Sequence, residues 1–302
     1  MQIARHTTKF LIATGLIFVI GFSIVLTEGL NFGIDFTGGS LTEVSYETAP
    51  EKTALEARLG EYFSDGYSLR GSTDAEGQQG YILRARDLTE VERQEVGNIL
   101  VSQGEGGSVT RFASIGPVIG EELKSKALWA ISGVVLITIL YVAFAFRKVP
   151  EPVSSWTYGG ITILALIHDV LVPTAVMSVL GIVLGVEVDV LFVTALLAVL
   201  GYSVNDTIVV FDRVRENLLK NEEEKTALTF ETVVEKSVRE TLVRSINTSL
   251  TTIIALGALF FLGGVTTQWF ALTLIVGVIA GTYSSLFIAN PLLIAASRKK
   301  KA

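Results

Sequence analysis

The sequence predicts a polytopic α-helical membrane protein with six transmembrane helices and an extracytoplasmic ferredoxin-like α+β domain between the first and second helices. Three observations carry this. Half of the 302 residues are apolar, mean hydropathy is +0.53, and the apolar residues fall in runs near the length of a bilayer-spanning helix. The one long stretch without such a run, residues 28–122, alternates strand and helix patterns in the order β-α-β-β-α-β. Basic residues occupy only one set of the short connections.

In chain order, the first run covers residues 10–26 behind Arg5 and Lys9. A basic start and an apolar run also describe a signal peptide, but no small-x-small cleavage site follows, so an uncleaved anchor is expected. In the polar stretch, "LTEVSYE" reads as a strand, "EKTALEARLGEYF" as a helix, "YSLRG" and "GYILRAR" as two strands, "TEVERQEVGNILVSQ" as a helix and "SVTRFASIG" as a last strand. Glycine-rich "DAEGQQG" joins the middle pair. The remaining runs are residues 127–146, 156–184, 190–211, 245–262 and 269–294; the third is overlong and interrupted by His168, Asp169 and Pro173. Three parts follow: 1–27, an N-terminus and first span; 28–124, the outer, periplasmic domain; and 125–302, spans two to six with a loop at about 212–244 and a basic tail.

Charge orients these parts. Arg5 and Lys9, Arg147 and Lys148, and the tail Arg298, Lys299, Lys300 and Lys301 belong in the cytoplasm, whereas "VEVD" and "GGVTTQ" carry no base and fit the outside. Both termini are therefore expected inside. Residues 28–126 hold 17 acids against 9 bases, and the 212–244 loop, which reads as amphipathic helix, holds 8 against 7.

Zero cysteines exclude disulfides, and two histidines argue against a zinc cluster. The segment "GIDFTGGS" has the glycine spacing of a phosphate loop, but Gly39 stands where the lysine belongs and no long helix follows. Nucleotide binding is not expected. Gly33, Asp35, Gly38 and Gly39 instead form a domain-entry or hinge motif, with glycines allowing tight turns where the chain leaves the first span.

Asp206, within "GYSVNDTIVVFDRVREN", is the best functional clue. An ionised carboxylate at the centre of a span costs about 2.5–3.5 kcal/mol on insertion scales, so something compensates for it. Spacings of three and four back along a helix give Tyr202, Ala198 and Ala195, a small and polar stripe suited to facing other helices. Arg244 is the candidate partner, because it enters the fifth span at a similar depth, with Thr248, Thr251 and Ala255 continuing its face. Such a pair is either a proton-dependent switch or a structural ion pair that fixes packing. Asn205, Tyr202 and Thr207 are the supporting candidates around it. His168 and Asp169 read equally as functional and as a polar packing contact near Pro173. Gly277, Gly281 and Ser285 make a small-xxx-small face for close helix packing.

Four stretches in order, "NFGIDFTGGSLTEVSYE", "ALIHDV", "LLAVLGYSVNDTIVVFDRVREN" and "RETLVRSINTSLTT", resemble SecF members of the SecD/SecF family of protein-export membrane proteins, within the resistance-nodulation-division (RND) superfamily. The resemblance runs end to end. It implies a non-enzymatic subunit without a cofactor, in the bacterial cytoplasmic (inner) membrane, that uses the proton motive force to assist export while its outer domain grips the emerging chain. The implied partners are SecD as an obligate complex, the SecYEG channel, YajC, SecA-driven machinery, unfolded preprotein at the outer face, protons and lipid, and no nucleic acid. By motif, the proton-coupling pair is Asp206 and Arg244, acting with a SecD carboxylate. Two alternatives stand beside this: a half-size small-molecule exporter of the same superfamily, and a non-transporting scaffold of the export machinery. A scaffold has no need of a titratable pair in the membrane.

Overall fold

The computed structural model describes residues 3–64, 66–73, 77–147 and 152–301. Residues 74–76 of the expected hairpin, and Lys148, lie outside them. Among the described residues, six helical stretches are long and apolar enough to cross a membrane. They are α1 (Ile3–Glu28), α5 (Pro117–Ala145), α6 (Ser155–Leu184), α7 (Val190–Glu223), α8 (Phe230–Leu262), and a composite of α9 (Val265–Ser284), a π-turn (Ser285–Ala289) and α10 (Asn290–Lys301).

Between α1 and α5 the chain builds a short α2 (Ile34–Thr37) and then β1 (Gly39–Ser45), α3 (Lys52–Tyr62), β2 (Ser68–Thr73), β3 (Gln79–Ala85), α4 (Glu90–Ser102) and β4 (Ser108–Ile115). The antiparallel sheet has the order β2-β3-β1-β4, which is the ferredoxin-like arrangement. Alternation decides its two faces. Val44, Leu69 and Leu83 point to α3 and α4 and pack with Leu55, Leu59, Val96 and Leu100. Leu41, Arg70, Ile82, Arg84 and Arg111 line the other face, over a cavity of about 410 Å³. Burial holds the phenol of Tyr46 up at about 12, and its hydroxyl donates to the carbonyl of Leu100 at 2.8 Å. Thr89 and Glu92 close a capping box on α4.

The long helices differ from the sequence expectation at two places. The fourth span does not stop near Phe211: α7 runs on to Glu223, and α8 begins at Phe230, so the 212–244 loop is a helical hairpin continuous with both spans. An apolar core of Val210, Phe211, Val214, Leu218, Val233, Val234 and Val238 holds it together. The sixth span is broken by the π-turn. Pro291 has no N–H to offer the carbonyl of Phe287, and the Asn290 side-chain amide donates to the Ser285 carbonyl at 2.7 Å.

A joint ties the sheet domain to the helices. Gly33 N–H donates to the carbonyl of Val188, and Val188 N–H to that of Asn31, both at 2.8 Å. The Asp35 carboxylate accepts from the Val190 amide at 3.0 Å, while Asp189 caps α7 through the Phe192 amide. Burial of Asp189 raises its carboxyl above the usual range, and the neighbouring Asp35 charge adds to this. From the sheet, Arg84 pairs with Glu187, and Arg70 lies 3.6 Å from the same carboxylate. Burial, with Arg70 beside it, lowers the Arg84 guanidinium to about 10. Gly38 and Gly39, expected as a pivot, serve close approach in this conformation. Both have positive φ, 74° and 113°, and a Cβ would stand 2.8 Å from Pro117 Cα at Gly38 and 2.6 Å from the Ala85 carbonyl oxygen at Gly39.

Gly38→Ala and Gly39→Ala are each expected to destabilise the sheet domain by about 1–3 kcal/mol, since both meet backbone atoms in a disfavoured conformation. Gly29→Ala, at φ 70° but with open space around it, should cost only about 1–2 kcal/mol. Limited proteolysis of the 28–124 region against urea checks the order.

Candidate functional site

Polar groups inside an apolar helix bundle must find partners on facing helices, because lipid offers none. Two carboxylates pose this problem here. Asp206 of α7 is half-buried; one of its oxygens accepts from Ser245 Oγ of α8 at 2.6 Å, and the other accepts from Ser285 Oγ at the start of the π-turn. Hydroxyls extend the network. Tyr202 donates to Ser249 at 3.1 Å, and Ser249 meets Thr282 at 2.5 Å. Thr207 is buried, and its hydroxyl has no partner.

Asp169 of α6 is fully buried. One oxygen accepts from Ser203 of α7 and from Ser284 of α9, the latter at 2.7 Å, and the other stands 2.9 Å from His168 Nδ1. The sequence-predicted residues thus divide into two centres: Asp206 with Tyr202 near it, and His168 with Asp169.

Arg244 is not part of either. Among the described residues it makes no ion pair, and its side chain is exposed, so the expected contact with Asp206 is corrected. The depth argument holds, because the very next residue, Ser245, reaches Asp206. Rotation decides the rest: a helix turns about 100° per residue, so with Ser245 facing inward Arg244 points outward. Asn205 is likewise exposed beside Asp206.

These residues belong to a wider exposed surface. On α7 the exposed positions near Asp206 include Thr194, Ala198, Gly201 and Asn205, and on α8 Arg244, Thr248, Thr251 and Ala255 stand among exposed Val243, Ile246, Leu250 and Ile254. The outer faces of α1 and α5 are of another kind, with Leu16, Ile20, Phe22, Leu136, Ile137 and Phe144 exposed. Gly277 and Gly281, by contrast, are spent inside the chain, since a Cβ on either would press on Val199 or Ser203 of α7.

Sequence reasoning missed the serines as donors, reading Ser285 only as part of a packing face with Gly277 and Gly281. Ser245 and Ser249 lie four apart on α8, and Ser284 and Ser285 stand just before Asn290-Pro291; hydroxyls repeated at helical spacing opposite a lone carboxylate were the available signal. A carboxylate held by hydroxyls can take up and release a proton in place, because a hydroxyl donates to the ionised form and accepts from the neutral one. Among the described residues no cluster of three or more His, Asp or Glu could hold a metal ion.

Residues 96–299 match the family model "Protein export membrane protein SecD/SecF, C-terminal", and residues 24–50 match "SecD/SecF GG Motif". The protein translocase subunit SecF of Thermobaculum terrenum is 40% identical, over 99% of this chain and 95% of that one. The subunit SecF of Sebaldella termitidis is 37% identical, over 94% and 88%. The crystal structure of SecDF from Thermus thermophilus aligns with a TM-score of 0.82 at 33% identity, covering 98% of this chain but only 38% of that one.

Because Gly277 lies against Val199, Gly277→Leu should force α9 off α7 and disturb both carboxylate centres. A loss of about 1–3 kcal/mol is expected for overpacking a close contact, with lower thermal stability of the purified chain in detergent as the measurement. Gly201→Leu, exposed with nothing nearby, should leave that stability within about 0.5 kcal/mol.

Proposed function

The chain belongs to the SecD/SecF family of protein-export membrane proteins and has a role in protein translocation, and from that premise we propose that it is a proton-coupled subunit acting with SecD. The observation that carries the proposal is Asp206: a carboxylate inside the spans, held by two hydroxyls, beside an exposed polar face. Exposed Arg244 and Asn205 are costly against lipid, whereas Thr248 and Thr251 beside them bond carbonyls of α8 itself. A second membrane protein that covers them removes that cost. SecD fits, because the Thermus thermophilus SecDF chain is far longer than the part this chain matches. Arg244 then completes the proton site at the subunit boundary rather than within this chain.

Coupling to export runs through α7. Its cytoplasmic-side half carries Asp206, and its outer end is clamped by Asp35, Asp189 and the Arg84–Glu187 pair about 25 Å away, at 1.5 Å per residue. Protonation of Asp206 turns a hydrogen-bond acceptor into a donor, which biases the packing of α7 against α8 and the π-turn. A tilt of α7 is delivered to the sheet domain through the joint. The domain, on the outer face of the bacterial cytoplasmic membrane, holds unfolded preprotein leaving the SecYEG channel, with SecA driving entry from inside and YajC as a further component. The orientation rests on the basic segments and on fold: the 185–189 loop meets the domain, while Arg298 pairs with Glu231 of the helical hairpin. Both termini are then cytoplasmic.

Asp206→Asn should preserve insertion and folding, because asparagine is nearly isosteric, yet abolish the stimulation of export by an imposed proton gradient in proteoliposomes holding SecD and SecYEG. Wild-type stimulation at normal protein levels would leave Asp206 a packing residue.

Arg244→Gln should leave the isolated chain as stable as wild type within about 0.5 kcal/mol, since the side chain is exposed and unpaired. In the complex it should weaken association with SecD or the gradient response by about tenfold or more. Quantitative co-purification in mild detergent separates the two.

A further inference from the structure

The buried dyad of His168 and Asp169 has no part in the mechanism so far, yet it touches the same machinery. Ser284, which donates to Asp169, and Ser285, which donates to Asp206, are consecutive residues where α9 passes into the π-turn. On α7, Ser203 donates to Asp169 and stands three residues, about one turn, before Asp206. The two carboxylates therefore share two walls.

The dyad is also incompletely satisfied. His168 is 3% exposed, and its Nε2 is buried with no hydrogen-bond partner. A purely structural contact normally satisfies both ring nitrogens, since an orphaned buried nitrogen costs stability. Around the pair, α6 contributes His168 itself and α7 contributes Ser203. From α9 come Ser284 and Tyr283, whose ring centroid is 5.9 Å from the imidazole and whose hydroxyl lies 3.3 Å from Thr14 of α1. Among the described residues no lysine or arginine pairs with it.

We propose that His168 and Asp169 form a second protonation centre in the membrane region, coupled to Asp206 through the Ser284–Ser285 pair and Ser203, so that a proton on one carboxylate disfavours a proton on the other. The sign follows from charge and from the adjacency of the donors, Ser284 beside Ser285 and Ser203 one turn before Asp206. Neutralising Asp169 removes a negative charge near Asp206 and frees its two serines to reorient, and both effects favour the ionised form of Asp206. The π-turn is the element both sites bias. This inference rests on the proton-coupled reading of Asp206.

The test uses the complex with SecD in proteoliposomes and infrared difference spectra across a pH series. Each carboxyl band is assigned by its disappearance in Asp206→Asn or Asp169→Asn. The expected result is two titrating bands, with Asp206 binding its proton about tenfold more weakly in Asp169→Asn, a size typical of linked sites. The pH profile of export stimulation should move to lower pH in step. Ser284→Ala removes only the hydroxyl that meets Asp169 and the Gly281 carbonyl; it serves where Asp169→Asn fails to assemble, and it should shift the Asp169 band. A spectrum unaltered by Asp169→Asn, or an Asp206 band whose midpoint moves in neither variant, overturns the second centre or its coupling. A wild-type complex in which Asp169 titrates and Asp206 does not overturns the preceding reading of Asp206, and the coupling with it.

Discussion

Everything in the membrane half of this molecule depends on how two carboxylates are kept among apolar side chains. Among the described residues neither pairs with a lysine or arginine, although His168 Nδ1 stands 2.9 Å from Asp169. Each is held by hydroxyls drawn from facing helices: Ser245 and Ser285 for Asp206, Ser203 and Ser284 for Asp169. That choice has a consequence for function. A buried ion pair is locked by its own attraction and is costly to break, whereas a carboxylate among hydroxyls exchanges donors for acceptors when it is protonated. It also has a consequence for packing. Serines reach a carboxylate only across a short interhelical distance, and Gly277 and Gly281 let α9 lie that close to α7.

The same helix that carries Asp206 also meets the soluble domain. Asp35 from the domain-entry segment and Asp189 from the helix's own N-cap satisfy amides in the first turn of α7, where negative charge is favoured by the helix dipole. Glu187 brings Arg84 and Arg70 from the open sheet face to the same loop. In this conformation the entry glycines let backbone pass against Pro117 and Ala85 without a side chain between. A stiff joint transmits a tilt, while a loose one would absorb it. Movement of the domain relative to the bundle then has to break or re-form contacts at the joint as a unit, the behaviour of a two-state element.

Much of the fold was legible because it rests on periodicity. Apolar length marks spans, and the strand alternation of "LTEVSYE" and "GYILRAR" selects which face of the sheet meets α3 and α4. Depth in the membrane was legible as well, since it needs only a count of residues along α7 and α8. Azimuth was not: a single residue separates Ser245 from Arg244, and no pattern on α8 alone says which of the two faces Asp206. The π-turn was hidden for a related reason, because it is a change of hydrogen-bond register that leaves the apolar run 269–294 intact. Past Phe211 the amphipathic helix was legible, but its continuity with the fourth and fifth spans was not, because the apolar run ends where the charge begins.

Azimuth also explains why the chain looks unfinished. Burial inside the bundle went to the serines and glycines, so the groups left outside on α7 and α8 include Asn205, Arg244, Thr248 and Thr251, set among exposed Val243, Ile246, Leu250 and Ile254. On α1 and α5 the outside is leucine, isoleucine and phenylalanine. The outer surface of α7 and α8 is mixed, with polar groups beside apolar ones, whereas that of α1 and α5 is largely apolar. Lipid suits the second. In the proposed complex the first meets a polypeptide with polar groups of its own at the same depth, where the guanidinium of Arg244 finds an anion. An ion pair formed across such a boundary is desolvated by assembly, so its strength and its sensitivity to protonation both arise only in the complex. The hydroxyl-held Asp206 lies one helix face away from that boundary, which is where a proton passing between subunits would have to be received.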